Sequence, residues 1–317
     1  MAVKNIAASI LSRLKNQAKE GKIPFQMVLQ LFAQEEFLRK LSASDFADNL
    51  ILKGGMFIYT LTEFDSRPTR DIDFLLKNLH GSLENTESIM KMICEVNTGN
   101  DFITLEVVGT EQISVEKKYP GIKTHFLGHI SNVRIPFSID VGIDDIIVPN
   151  PVKRELLTRL PDFKAPKVYT YSLESTIAEK FDAILQRMSG TSRMKDFYDI
   201  YYLSGIFNFD GAILQEAVNK TLMHRGRELT ATVFDEIREF DHNTFLNTQW
   251  RAFEPAQNTG LEFSEVLRRL EIFLQPVYES ILEGSNWNAD WLCTNKIWIS
   301  NSSSQSVTFS ALIPSSF

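Results

Sequence analysis

The chain has 317 residues, with 33 Lys and Arg against 40 Asp and Glu, a formal charge of −7. At roughly 100–200 residues per domain this is one large domain or two ordinary ones, long enough to bury a core. Hydrophobic residues at 44% and charged residues at 23% exclude wholesale disorder, 15 Gly and 11 Pro exclude a collagen-like chain, and the acidic balance argues against a surface coated in nucleic-acid-binding charge.

Residues 3–19 place Ile6, Ile10, Leu11 and Leu14 at helical spacing. This start has no continuous apolar stretch and no small-residue cleavage site, so it reads as a packed helix rather than a secretory signal. A second helix is predicted from Pro24 to about Leu41, with Met27, Val28, Leu31, Phe32 and Leu38 on its apolar positions. The run FADNLILKGGMFIY is broken by Gly54 and Gly55, and TRDIDFLL reads as a strand entered through a polar turn. A helix over about 82–97 follows, then strands in DFITLEVVG, GIKTHFLGHI and VRIPFSIDVGI. In the last, Val133, Ile135, Phe137, Ile139 and Val141 alternate with Arg134, Pro136, Ser138 and Asp140, which is strand period.

Pro149, Pro151, Pro161 and Pro166 mark a connecting stretch, and the pattern after Ser172 is mostly helical to about Leu282. The predicted division is 1–160, then 161–298, then a poorly ordered tail over 299–317 with eight Ser and no charge. No run approaches the roughly 18 apolar residues of a membrane span, so no membrane association is expected. Cys94 and Cys293 are too far apart to suggest a disulfide framework or a metal-ligand spacing, and they suit the cytoplasm.

The chemistry concentrates in ILKGGMFIYTLTEFDSRPTRDIDF. Residues i and i+2 of a strand point to one face, so Asp71 and Asp73 project together. Two like charges that close repel, and a divalent cation relieves the repulsion, since Mg²⁺ prefers carboxylate and phosphate oxygens. Asp140 lies on its own strand, opposite the apolar alternation. If the two strands are neighbours, the three carboxylates converge on a site suited to two-metal phosphoryl chemistry. Gly54 and Gly55 let backbone N–H groups approach a triphosphate at the start of the following helix.

With these residues in place, the pattern resembles the DNA polymerase β-type nucleotidyltransferase superfamily. LKGGMFIY, TRDIDF, RIPFSIDVG, ESTIAEKFDAI and SRMKDFYDIYYL together resemble, more closely, the AbiEii nucleotidyltransferase toxins of type IV toxin–antitoxin and abortive-infection systems, over about residues 1–285. Gly55 stands where many superfamily members carry Ser, and the interval from Gly55 to Asp71 is longer than usual. The resemblance implies an α+β fold: a small mixed-sheet nucleotidyltransferase core with N-terminal helices (1–160) and a helical part completing the nucleotide pocket (161–298). It implies transfer of a nucleotide from an NTP with release of pyrophosphate, Asp71, Asp73 and Asp140 holding Mg²⁺ or Mn²⁺, and Lys53, Gly54 and Gly55 at the nucleotide. It further implies tRNA as the leading acceptor and a cognate antitoxin acting as a repressor.

On ESTIAEKFDAILQR, Lys180, Ile184 and Arg187 share a helix face, and a lysine there reaches a triphosphate as a point charge or else snorkels off a packed helix. Lys195 and Asp199 are an i, i+4 pair, which by itself stabilises a helix. Within the resemblance Lys195 and Asp196 support catalysis, and Lys180 and Arg193 bind nucleotide. Residues 151–195 hold nine basic against five acidic residues, a cluster able to steer phosphate-rich ligands; His224, Arg225 and Arg227 are similar candidates. The competing readings are a non-catalytic nucleotide- or RNA-binding module and a metal-dependent phosphohydrolase. An intact aspartate triad argues against the first, and pyrophosphate release without an acceptor product would mark the second.

Overall fold

A computed structural model describes residues 5–113, 121–254 and 259–301. The chain divides into two compact units: the first comprises residues up to Glu179 together with Lys220–Arg227, and the second comprises Lys180–Asn219 and the residues from Glu228 on. Of the tail predicted to be poorly ordered over 299–317, Ile299 and Ser300 instead belong to a strand, and the residues beyond 301 lie outside the described residues.

In the first unit, α1 (Ile6–Glu20) starts at Asn5, whose side chain accepts from Ala8 N at 3.1 Å, and buries Ile10, Leu14 and Ala18. Pro24, which has no N–H to satisfy, precedes α2 (Phe25–Ser42). Helix α2 is buried almost all round from Val28 to Leu41, because it lies over the sheet, and so it carries buried charges as well as apolar side chains. Arg39 lies 3.5 Å from Glu35 and 3.2 Å from Glu36, and Arg159 N donates to Glu35 Oε1 at 3.2 Å. Desolvation still lifts the Glu35 carboxyl to about 7, against the opposing pull of Arg39 and Arg159.

The strands β1 (Leu50–Lys53), β2 (Ile72–Leu76), β3 (Ile103–Ile113), β4 (Gly121–Ile130), β5 (Val133–Ile143), β6 (Val152–Glu155) and β7 (Lys167–Thr170) form one mixed sheet in the order β3-β4-β5-β2-β1-β7-β6. Helix α3 (Gly54–Leu61) follows β1, and α4 (Leu83–Glu95) connects β2 to β3 with Ser82 as its N-cap. The pairs β2–β5 and β1–β7 are parallel and the others antiparallel. This mixed sheet fulfils the expected fold, but with seven strands it is larger than a minimal core. The additional β6 and β7 lie in the proline-marked stretch read as a connection, where a four-residue edge strand with exposed side chains leaves no alternation to detect. Along β4 and β5 alternate residues are buried, including Ile122, Phe126, Ile135, Phe137, Ile139 and Val141, so one face meets the core and the other stays open.

The second unit is mainly helical: the later part of α5 (Leu173–Arg187), α6 (Met194–Ile206), most of α7 (Gly211–His224), α8 (Val233–Arg238), α9 (Thr244–Phe253) and α10 (Phe263–Glu283). Its core is aromatic. Phe197 meets Phe263 edge-on at 5.4 Å, Trp250 stacks on Phe263 at 5.2 Å, and Phe273 meets Trp291 at 4.8 Å. A small antiparallel sheet of β8 (Phe209–Asp210), β9 (Ala289–Leu292) and β10 (Ile297–Ser300) completes it, an element that the helical reading of this region did not foresee.

Candidate active site

Three strand pairings build the centre of the site. Antiparallel pairing of β1 and β2 sets Lys53 opposite Asp73. Parallel pairing of β2 and β5 sets Asp73 opposite Asp140, and antiparallel pairing of β4 and β5 sets Lys123 opposite Asp140. Opposed residues share a face, so Lys123, Asp140, Asp73 and Lys53 form one row across four neighbouring strands. Strands lie about 4.8 Å apart, which crowds the two carboxylates in the middle of the row. Asp71 precedes β2 by one residue rather than lying within it. Its charge nevertheless raises the Asp140 carboxyl, after burial as the larger cause and against the opposing effect of Lys123.

Asp140 Oδ1 is buried and lacks a hydrogen-bond partner. Lys123 Nζ is its ion-pair partner at 3.3 Å, a contact that opposes the rise of the carboxyl. A buried carboxylate oxygen in this condition, beside a second carboxylate, suits a hard divalent cation. Among the described residues no three His, Cys, Asp or Glu side chains are gathered closely enough to form a ready-made metal cluster. Asp73 and Asp140 are therefore the two donors that the sheet fixes.

The two glycines are required by packing. Gly54 has φ +68°, and a Cβ there would lie 2.9 Å from the Asp73 Cγ and closer still to its Oδ2. Helix α3 starts at Gly54 with no side-chain cap on its N-terminus. A Cβ on Gly55 would come within 2.8 Å of Thr69 Oγ1, and this hydroxyl in turn holds the Asp71 backbone, accepting from Asp71 N at 3.3 Å and donating to Asp71 O at 3.1 Å. Thr69 thus occupies the space that a side chain at position 55 would need.

Lys53 turns from the row toward two acids. Its Nζ lies 3.1 Å from Asp145 Oδ2 and 2.9 Å from Glu179 Oε1, and those contacts raise its pKa against desolvation. Arg225 NH2 also reaches Asp145 Oδ2, at 2.8 Å, and Tyr171 donates its hydroxyl to Glu179 Oε1 at 3.1 Å. Asp145 is held below the usual carboxylate range by Lys53 and Arg225, despite its burial. Burial lifts Glu179 to about 7, against the effect of Lys53. A cavity of about 210 Å³ is lined by Lys53, Asp73, Asp140, Asp145 and Arg225 among others.

The second unit has a cluster of its own. Lys180 Nζ lies 3.4 Å from Asp196 Oδ1 and 2.5 Å from Asp199 Oδ2, and Arg193 Nε lies 2.6 Å from Asp196 Oδ2. Asp196 and Asp199 are buried, Lys180 is nearly so, and Arg193 is exposed. Lys180 therefore does not snorkel to solvent. Its ammonium ties α5 to α6.

The family profile described as "Nucleotidyl transferase AbiEii toxin, Type IV TA system" matches residues 36–269, well over half of the chain. The chain belongs to the AbiEii family. As an AbiEii protein it is a nucleotidyltransferase of the toxin class. No curated protein matches its sequence. Among solved structures it is similar to a candidate nucleotidyltransferase from H. pylori, at 11% identity and TM-score 0.46, over 84% of this chain and 100% of that one. It is also similar to JHP933 from Helicobacter pylori, at 12% identity and TM-score 0.44, over 82% and 94% of the two chains. Among the described residues no helix is long and apolar enough to cross a membrane.

Within this AbiEii chain the basic stretch 151–195 is largely consumed by its own contacts. Lys153 pairs with Asp48, Lys167 with Glu155, and Arg159 with Glu35 and the Tyr59 hydroxyl. Arg154 donates to Thr170 Oγ1 at 2.5 Å, and Lys180 and Arg193 are engaged as described. These six of the nine basic residues thus have partners within the chain. The sequence assigns no role to Asp145, Glu179 or Tyr171, and offers Arg225 only as one of several candidates to steer phosphate-rich ligands. A signal for Glu179 was present: an acid flanked by Ile177, Ala178 and Phe181, all buried, needs a partner.

Proposed function

We propose that this toxin transfers a nucleotide from an NTP to an RNA acceptor, with tRNA the leading class, in the cytoplasm and under control of a cognate antitoxin acting as a repressor. The observation that carries the reading is the register of Asp73 against Asp140 on parallel neighbouring strands, beside a helix start at Gly54 that no side chain caps. Asp73 and Asp140, joined by Asp71, would hold Mg²⁺ or Mn²⁺, which when bound supplies positive charge to the triphosphate and acidifies the acceptor hydroxyl. The N-terminus of α3 and the closely packed Gly54 and Gly55 receive phosphate oxygens through backbone N–H groups. Asp140 favours loss of the acceptor hydroxyl proton as the acceptor oxygen attacks the α-phosphorus. The new phosphorus–oxygen bond replaces the bond to the β-phosphate, and pyrophosphate leaves.

In the second unit Lys195 and Asp196 carry the supporting role, with Lys180 and Arg193 as the nucleotide-side cations. Purified protein incubated with Mg²⁺, each labelled NTP and total tRNA tests the whole reading. Label should appear on RNA with the wild type and not with Asp73→Asn. Label on neither, or equal label on both, would overturn the mechanism, and pyrophosphate release without labelled RNA would point to hydrolysis. Lys195→Ala with unaltered transfer would remove the second-unit assignment alone.

A further inference from the structure

The cluster around Lys53 has a position and a composition that the reaction as described does not use. Four segments of the first unit converge on it. These are the end of β1 with Lys53, the turn after β5 with Asp145, the start of α5 with Tyr171 just before it and Glu179 within it, and the residues after α7 with Arg225. Two cations and two carboxylates meet there, with Lys53 bridging both acids and also lying 5.1 Å from the centre of the Tyr171 ring. Arg225 reaches Asp145 at 2.8 Å and approaches Glu179 at 4.0 Å, and Ile146 N donates to Asp145 Oδ1 at 3.2 Å, fixing that carboxylate from its own backbone.

Partly burying four ionisable groups for stability alone is poor design, since a desolvated ion pair is often no better than a well-packed apolar pair. This cluster borders the cavity of about 210 Å³ that Asp73 and Asp140 also line. The cations facing that cavity are long and flexible, and a flexible ammonium loses side-chain entropy each time it orders on a ligand. A carboxylate pair that fixes them in advance removes this cost.

We propose that Asp145 and Glu179 are positioning residues, which hold Lys53 and Arg225 at the wall of the aspartate cavity as a preset pair of charges for the triphosphate of the incoming nucleotide. This rests on the nucleotidyltransferase reading of the cavity. Neither acid touches the phosphates; they act through the two cations. The groups facing Glu179 are Lys53 from β1, Asp145 from the turn after β5, Tyr171 ahead of its own helix and Arg225 after α7. A carboxyl that titrates near neutrality in that setting gives the role a pH signature.

The test measures affinity for a non-hydrolysable NTP analogue with Mg²⁺, for the full-length wild type, Glu179→Gln and Asp145→Asn, from pH 6 to 9, with thermal melts and tRNA labelling in parallel. Losing one charge-assisted contact predicts roughly 10- to 100-fold weaker binding for each variant at pH 8–9. The ratio of wild type to Glu179→Gln should collapse toward one below pH 7, where the wild-type carboxyl is also neutral. A lower Tm with unchanged affinity would make the cluster structural only and overturn the proposal. Tighter binding by Glu179→Gln at high pH would also overturn it, because the carboxylate would then be repelling phosphate rather than setting its partners. If both variants fail to fold, Tyr171→Phe, which removes only the hydroxyl held by Glu179, decides: about 2- to 10-fold weaker binding supports the proposal and unchanged binding overturns it. A wild type that binds the analogue but labels no RNA would defeat the transferase reading and leave the positioning role standing; one that binds no analogue defeats both.

Discussion

Two lysines in this molecule are each held between two carboxylates, one in each unit, and the surroundings set them apart. Lys53 lies between Asp145 and Glu179 at the wall of a cavity that it shares with the two strand aspartates. Lys180 lies between Asp196 and Asp199, inside the packing of α5 and α6. The contact distances are similar, so the ion pairs alone do not distinguish function from structure. Lys53 faces a cavity shared with the strand aspartates, and Lys180 joins two helices. The lesson is that a cation–carboxylate cluster is worth testing as part of a site when one side faces a space for a ligand.

The largest effect that this contrast predicts is at the centre of the first unit. Asp73→Asn should lower nucleotide transfer by roughly 10³-fold or more, as loss of a key electrostatic group does, while the thermal midpoint stays at or above wild type because a like-charge neighbour of Asp140 has gone. In the second unit the balance should invert. Asp199→Ala leaves the Lys180 ammonium short of a partner and should cost roughly 3–5 kcal/mol in denaturant unfolding. The Lys180 ammonium keeps its charge and Asp196, so nucleotide affinity of the protein that remains folded should fall by less than about 10-fold. A stable Asp199→Ala protein that has lost activity would break the contrast.

A smaller effect belongs to Gly54→Ala. The added methyl group meets Asp73 at a backbone position with φ +68°, so roughly 1–3 kcal/mol of stability should be lost along with much of the activity. The last is a pH effect on the buried cluster around Glu35. Glu35 is raised from about 4.5 to about 7 in the folded protein, so the folded state binds a proton that the unfolded chain has released in this interval. Unfolding free energy should therefore fall as pH rises from about 4.5 to 7 and level off above that, and Glu35→Gln should flatten this slope in urea titrations across the range.

The sequence carries the central elements because each has a strong period or a strong breaker. Alternation in VRIPFSIDVGI marks β5, and Gly54-Gly55 marks the junction of β1 with α3. The neighbour relation of β2 and β5, on which convergence of Asp73 and Asp140 depends, is a long-range fact that local pattern leaves open; the structure supplies it as a parallel pairing. Short strands were not legible: β6 and β7 are four residues each, and β9 and β10 carry tryptophans that read equally well as helix. The partners of Lys53 were invisible for the same reason. Asp145 and Glu179 are 92 and 126 positions away along the chain, and only folding brings them to the lysine.

The register of β2 against β5 has a further consequence for how the protein tolerates change. A strand alternates its side chains at every residue, so an insertion of one residue between Ile72 and Asp73, or between Ile139 and Asp140, would turn an aspartate into the core and an isoleucine or phenylalanine out to water. The same lesion would therefore remove activity and unfold the sheet together. Length variation among natural relatives should be confined to loops, and a laboratory library should recover inactive but folded chains by substitution at these aspartates, never by a change in strand length.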